Sequence, residues 1–210
     1  MITLALETST PHGSVALLDG DSFRLDERFT ADRSHSSSLF AALEKARALA
    51  DRLDLIAVGL GPGSYAGVRI AIAAAIGLQL SFRAKLVGLP SVAAFETEAP
   101  AYLAIGDARR DSFYFSRVEK GVCVEGPLLA TEQELAQRLA SAAEIPVFAT
   151  AAVPQFPATK MALPSAAILA SLAAAQRGIV ATGALEPIYL REPYITQPKP
   201  RAGSNPITDS

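Results

Sequence analysis

Apolar positions come in short runs at the start of the chain and at helical spacing further on. Residues 2–6 are mostly apolar, Thr8, Ser9, Thr10, Pro11, His12 and Gly13 supply a turn, and residues 14–18 return to apolar character. Asp19, Gly20 and Asp21 form a second turn signal, after which residues 22–29 alternate like a half-exposed strand. Runs punctuated in this way predict a three-stranded meander. From Ser34, a helix cap, to about residue 50, the positions Leu39, Leu43, Ala46 and Leu49 or Ala50 fall on one helical face. Residues 53–60 read as the next strand and 70–80 as a second helix. A strand over 84–89 and a third helix, opened by Pro90 and Ser91 and running to about Glu98, complete this half. Strands followed by alternating helix and strand imply an α/β layer built on a mixed sheet.

After Pro100 the pattern restarts. Tyr102, Leu103, Ala104, Ile105, Gly106 and Asp107 repeat the apolar-strand-then-acid design of Leu4, Ala5, Leu6 and Glu7. Phe113, Tyr114 and Phe115 continue a second hairpin, and 122–124 adds a third strand. A helix over 132–140, a strand over 145–148 and a helix over 165–176 follow, so the second half reads as a shorter copy of the first. The expected division is a lobe over 1–100, a smaller lobe over 101–192 and a flexible tail over 193–210. That tail is marked by Pro193, Pro198, Pro200 and Pro206.

Composition narrows the classes. With 210 residues, half of them apolar and 19% charged, the chain has ample length for a buried core. A net charge of −2 and a pI near 5.7 lack the basic footprint of a self-sufficient nucleic-acid binder. Cys123 is the only cysteine, which excludes an intrachain disulfide and a cysteine metal cluster and points to a reducing compartment. The N-terminal run has no basic segment ahead of it, and the longest apolar stretch, 70–78, is too short to span a bilayer. The expectation is a soluble cytoplasmic protein.

The densest motif is Gly59, Leu60, Gly61, Pro62, Gly63, Ser64, Tyr65, Ala66, Gly67, Val68, Arg69 and Ile70, a glycine turn between a strand and a helix. Such turns place backbone N–H groups near an anion or another backbone, and they also serve purely as structure. The spacing matches neither a P-loop nor a dinucleotide fingerprint, since no Gly-Lys-Ser/Thr occurs and Gly67 comes one residue late after Gly61 and Gly63. Glu7, Thr8 and Ser9 read either as a vestigial phosphate-side hairpin, able to hold hydrated magnesium, or as a self-satisfied turn. The two histidines, His12 and His35, form no H-x-x-x-H pair, and no G-x-S-x-G elbow is present. The second helix, with Ala71, Ala73, Ala74, Ala75 and Gly77 among isoleucines and leucines, is apolar almost all round and must be covered on more than one side.

Together these pieces resemble the TsaB (YeaZ-type) family of bacterial proteins, which serve tRNA threonylcarbamoyladenosine biosynthesis. The resemblance is carried by the opening segment 4–10, His35 and Ser36, the glycine block 56–70, segment 86–91, Asp107 to Arg110, and Pro187, Ile188, Tyr189, Leu190 and Arg191. It runs over almost the whole chain up to Arg191. Glu7 stands where the family commonly has Asp, Ile76 where it often has Lys, and Tyr65 and Ala66 where Phe and Thr are commoner.

The resemblance implies an actin-like (ribonuclease H-like) fold of two related lobes. It also implies a non-catalytic scaffold that heterodimerises with TsaD, the transferase acting on the adenosine beside the anticodon. The ATPase TsaE would bind the pair, a homodimer is the alternative assembly, and tRNA would be met only through the complex. No catalytic or metal residue is expected, and no cofactor of its own, with ATP or ADP at the shared complex. The helix pair would contact the partner through His35, Leu39, Phe40, Leu43, Ile70, Ala73, Ala74 and Gly77. Gly61, Pro62, Gly63, Ser64 and Gly67 would shape the adjoining turn. Two competing readings are an actin-like phosphotransferase, using Glu7 and Asp107 around ATP-magnesium, and a glycoprotease-like hydrolase.

Overall fold

A computed structural model describes residues 1–30 and 35–191 of the chain. Ser34 and the tail over 193–210 lie outside the described residues, as does the side chain of His35. The first half opens with three antiparallel strands, β1 (Ile2–Glu7), β2 (His12–Asp19) and β3 (Ser22–Thr30). Helix α1 (His35–Ala48), β4 (Leu55–Gly59), α2 (Tyr65–Phe82) and β5 (Lys85–Leu89) follow. β1 pairs antiparallel with β2 and parallel with β4, and β4 pairs parallel with β5.

The second half repeats this wiring with β6 (Ala101–Asp107), β7 (Ser112–Glu119), β8 (Val122–Thr131), α3 (Glu132–Ser141), β9 (Val147–Ala149) and β10 (Lys160–Met161). Its strand order, β10-β9-β6-β7-β8, is the order β5-β4-β1-β2-β3 of the first sheet. Two lobes with mixed sheets flanked by helices are therefore related by topology, as the repeated acid-terminated strand implies. The last elements, α4 (Ala166–Ala174) and β11 (Ala181–Thr182), return to the first lobe, where β11 extends the first sheet beside β5.

This return explains the pattern of β1, which is buried at every position. Leu4 and Leu6 pack with Leu39 and Leu43 of α1 and with Val68 and Ile72 of α2. Ala5 faces the opposite side, where Leu169 and Ala173 of α4 meet Ala57 and Leu89. A sheet covered on both faces needs apolar residues in succession rather than alternation. β3, at the sheet edge, keeps the alternating pattern.

The expected third helix is reduced to one 3₁₀ turn, Ser91–Ala94. Phe95 turns extended (φ −65°, ψ 137°) and bridges Pro164, which ends the turn. Val92 and Phe95 then enter the core of the second lobe with Tyr102 and Phe148, so this segment joins the lobes. The Tyr102 hydroxyl donates to the Val92 carbonyl at 2.7 Å. The other hairpin strand, β8, is longer than the expected 122–124 and reaches Thr131, which caps α3.

Helix α2 begins earlier than the apolar run suggests. Ser64 caps it by accepting from the Gly67 N–H, and it ends at Arg83 in the left-handed conformation. At 18 residues, with a mean hydropathy of 1.5, it is long and apolar enough to cross a bilayer by length and composition, which the 70–78 run was not. Only 28% of it is buried. One flank rests on the first sheet, packed against Leu4 and Val58.

Candidate functional site

The acid-terminated hairpin and the glycine turn form one unit. Glu7 points to the α4 side of the sheet and is fully buried. Its Oε1 accepts from the Ser9 N–H at 2.6 Å, while Oε2 has no hydrogen-bond partner among the described residues. Burial pushes the carboxyl up from its ordinary range, and the polar groups of Ser9, Ser91 and Thr8 around it oppose that shift without reversing it. Gly59 must be glycine here, because Glu7 Oε2 and Ser91 Oγ fill the space a Cβ would take.

The neighbouring residues bind the turn. The Thr8 hydroxyl donates to the Gly67 carbonyl at 2.9 Å, and the Ser64 N–H donates to the Ser9 carbonyl at 2.6 Å. Side chains on Gly63 or Gly67 would collide with the Ser9 and Thr8 carbonyls respectively. Gly61, at φ +89°, is joined to Pro62 by a cis peptide and exchanges two bonds with Ser91, through its own N–H at 3.0 Å and its carbonyl at 2.8 Å. Pro62 and Gly67 are buried with it. Thr8 and Ser9 thus seat the start of α2, while Glu7 keeps one buried carboxylate oxygen without a partner among the described residues.

The matching acid of the second lobe behaves differently. Asp107 is exposed and accepts from the Arg109 N–H at 2.6 Å. Arg109, Arg110 and Asp111 are all left-handed, with φ of 61°, 54° and 56°. Among the described residues no group of three or more His, Cys, Asp or Glu gathers as a metal site.

The helix pair is divided by burial. Leu39 and Leu43, expected at the interface, are 0% and 8% exposed and belong to the chain's own core. The reason is the amphipathic spacing itself, which turns that stripe of α1 onto the sheet. Phe40, next to Leu39 but on the outer face, is 50% exposed. On α2, Ile70 and Ala74 are half-buried against the core, whereas Ala73 and Gly77 are exposed.

Sequence reading missed the rest of this outer strip. Ala66, Arg69, Ala73, Ile76 and Leu80 follow one another at three- and four-residue steps, with Ile76 and Leu80 at 40% and 77% exposure. The same spacing rule finds them once the buried face is known. Beside the strip runs the segment 185–189, tied to the turn by the Ile188 N–H donating to the Leu60 carbonyl at 2.8 Å. An open groove of about 370 Å³ lies between them, lined by Ile72, Ala73 and Ile76 on one side and Leu185 and Pro187 on the other. At its end the Arg69 guanidinium lies 4.1 Å from the Tyr65 ring centre, and Arg69 Nε donates to the Tyr189 hydroxyl at 3.0 Å.

Comparison with known proteins adds ancestry to this geometry. A family model described as "TsaD: tRNA N6-adenosine threonylcarbamoyltransferase" matches residues 30–161. An uncharacterised protein of Mycobacterium bovis is 30% identical over 204 residues, covering 90% of this chain and 92% of that protein. The tRNA threonylcarbamoyladenosine biosynthesis protein TsaB of Haemophilus influenzae is 37% identical over 128 residues, covering 55% of this chain and 52% of that protein. An uncharacterised Mycobacterium leprae protein is 31% identical over 143 residues, 64% of this chain, and the match spans only 40% of its length. Among solved structures, a Pseudomonas aeruginosa protein with similarity to peptidase YeaZ superposes with a TM-score of 0.74 at 28% identity, covering 90% of this chain and 99% of that one. YeaZ from the same organism gives 0.68 at 26% identity, with 86% and 96% covered. These matches and the duplicated topology make the fold ribonuclease H-like, of the actin-like type.

Proposed function

The chain belongs to the TsaD threonylcarbamoyltransferase family as a TsaB/YeaZ-type member, and from that premise we propose that it serves tRNA threonylcarbamoyladenosine biosynthesis as a non-catalytic scaffold. Its lobe over 1–100 carries the working surface, and its partner is a TsaD-type subunit. The single observation behind this reading is the uncovered apolar strip of α2. A helix whose outer face presents Ala73, Ile76, Gly77 and Leu80 leaves apolar area in water at about 25 cal/mol per Å². Small residues at Ala73 and Gly77 let a second helix approach closely, and Phe40 of α1 widens the same face. A TsaD-type partner, related in fold, offers an equivalent helix pair, and a second copy of this chain is the competing occupant.

The clamp beneath α2 supports the same assignment. Hairpin groups that would meet a phosphate in an actin-like nucleotide site are engaged in holding the glycine turn. A phosphotransferase would need the hairpin acid to reach ligand, and Glu7 is sealed from it. We assign ATP or ADP, TsaE and tRNA to the assembled complex, in the cytoplasm. The deciding experiment is the solution mass of the chain alone and mixed with the TsaD-type protein of the same organism, by light scattering after size exclusion. A one-to-one complex supports the scaffold; failure to associate, with and without nucleotide, overturns it.

A further inference from the structure

Arg69 is the one charged residue on the outer strip of α2, and it is held in a fixed pose. Its guanidinium stacks on Tyr65 at 4.1 Å and lies 5.9 Å from the Tyr189 ring centre, while the two rings are 5.6 Å apart. Nε is spent on the Tyr189 hydroxyl. Among the described residues no carboxylate lies within ion-pair distance of Arg69, although Glu186 lines the same groove. The two terminal nitrogens are thus left for an acceptor. A planar fork with its stem and Nε already fixed loses little entropy on accepting two oxygens.

We propose that Arg69 is a specificity-determining receiver for a carboxylate on the partner's helix, whose neighbouring apolar side chain enters the groove beside Ala73 and Ile76. This rests on the scaffold reading and names the chemistry of the partner it takes. The spacing carries the argument: Arg69, Ala73 and Ile76 stand at i, i+4 and i+7, so a crossing helix meets the charge and the apolar groove one turn apart. Tyr189, anchored through Ile188, sets the height of the guanidinium above the groove. A nucleic-acid phosphate is the poorer fit. Ala66, Ala73, Ile76, Gly77 and Leu80 bring no second cation, and Glu186 repels a polyanion. Tyr, Arg and a filled apolar groove are the residue chemistry in which binding energy concentrates.

The test measures the affinity of the full chain for its cognate TsaD-type protein by isothermal titration calorimetry, at low and high salt. Arg69→Glu is expected to weaken association about 100-fold, and Arg69→Lys, which keeps the charge but loses the fork, about 10-fold. Tyr189→Phe, which removes only the bond to Nε, should cost about threefold. Arg69 is exposed, so thermal unfolding of each variant should match the parent and separate binding from folding. Reversing an acidic residue on the partner's contact helix to Arg should restore binding to Arg69→Glu and to no other variant. If the parent chain binds and Arg69→Glu binds equally well, the receiver is overturned and the scaffold stands. If the parent chain does not bind, both fall. If Arg69→Glu keeps the protein partner but the complex loses tRNA, the residue is a phosphate contact and the proposal is wrong.

Discussion

The carbonyl oxygen of Ser9 occupies the space where a side chain on Gly63 would begin, and the adjacent Ser64 N–H bonds to it at 2.6 Å. The hairpin of β1 and β2 and the entry to α2 are fitted together through backbone atoms. Gly63→Ala should therefore cost about 2–4 kcal/mol of stability, since backbone cannot move aside as a flexible side chain can. Gly77 is the internal control. Among the described residues a Cβ there meets nothing within 4 Å, so Gly77→Ala should stabilise the chain by about 0.5–1 kcal/mol through helix propensity. Urea unfolding of both variants checks this, and equal effects would refute the clamp.

Glu7 makes the stability pH-dependent. In the unfolded chain its carboxyl titrates near its ordinary value of 4.5, while in the folded chain burial holds the proton to higher pH. Between those two values the folded state binds more protons, so this residue's contribution to stability falls as pH rises. Glu7→Gln removes that component. Urea midpoints measured from pH 4 upward should show the variant gaining on the parent as pH rises above about 4.5. Parallel curves would mean the carboxyl is not uncompensated in its site.

Leu39 and Ala73 should separate core from surface. Leu39→Ala empties a fully buried site and is expected to destabilise by about 2–5 kcal/mol. Ala73→Glu lies on the exposed strip and should leave unfolding within about 0.5 kcal/mol of the parent. It should nevertheless weaken association with the TsaD-type protein by several kcal/mol, about what burying an unpaired charge costs. Thermal melts and size exclusion on the two variants give both readings. A stability loss at Ala73 equal to that at Leu39 would place the strip inside the fold.

The contact between lobes is open to the same treatment. Tyr102 donates to the Val92 carbonyl from a site where burial holds its own proton tightly. Tyr102→Phe keeps the stacked contact with Phe95, whose ring centre is 5.8 Å away, and orphans one carbonyl. A loss of about 1–2 kcal/mol in calorimetric stability is expected. No change would mean that water replaces the hydroxyl.

Much of the architecture is legible in particular residues. The Gly20 turn and the doubled strand-then-acid pattern at Leu4 to Glu7 and Tyr102 to Asp107 depend on neighbours within a few residues. Phe95 shows the opposite case. The expected third helix, opened by Pro90 and Ser91, ran through it, but its backbone goes to a bridge with Pro164, a residue far along the chain. Leu39 and Phe40 are adjacent and equally apolar, and only the sheet beneath α1 assigns one to core and the other to surface.

By itself, then, the sequence determined the two-lobed α/β plan, the glycine turn and the family, because periodicity, turn chemistry and motif spacing are local properties of the chain. Tertiary structure alone decided that Glu7 is sealed rather than offered to a ligand, that α4 and β11 close the first sheet, and that the outer strip of α2 runs from Ala66 to Leu80 around Arg69. Each of these depends on which segment covers which face. Burial is a relation between residues distant in the chain, and a helix that is apolar almost all round carries no local mark of the side left uncovered.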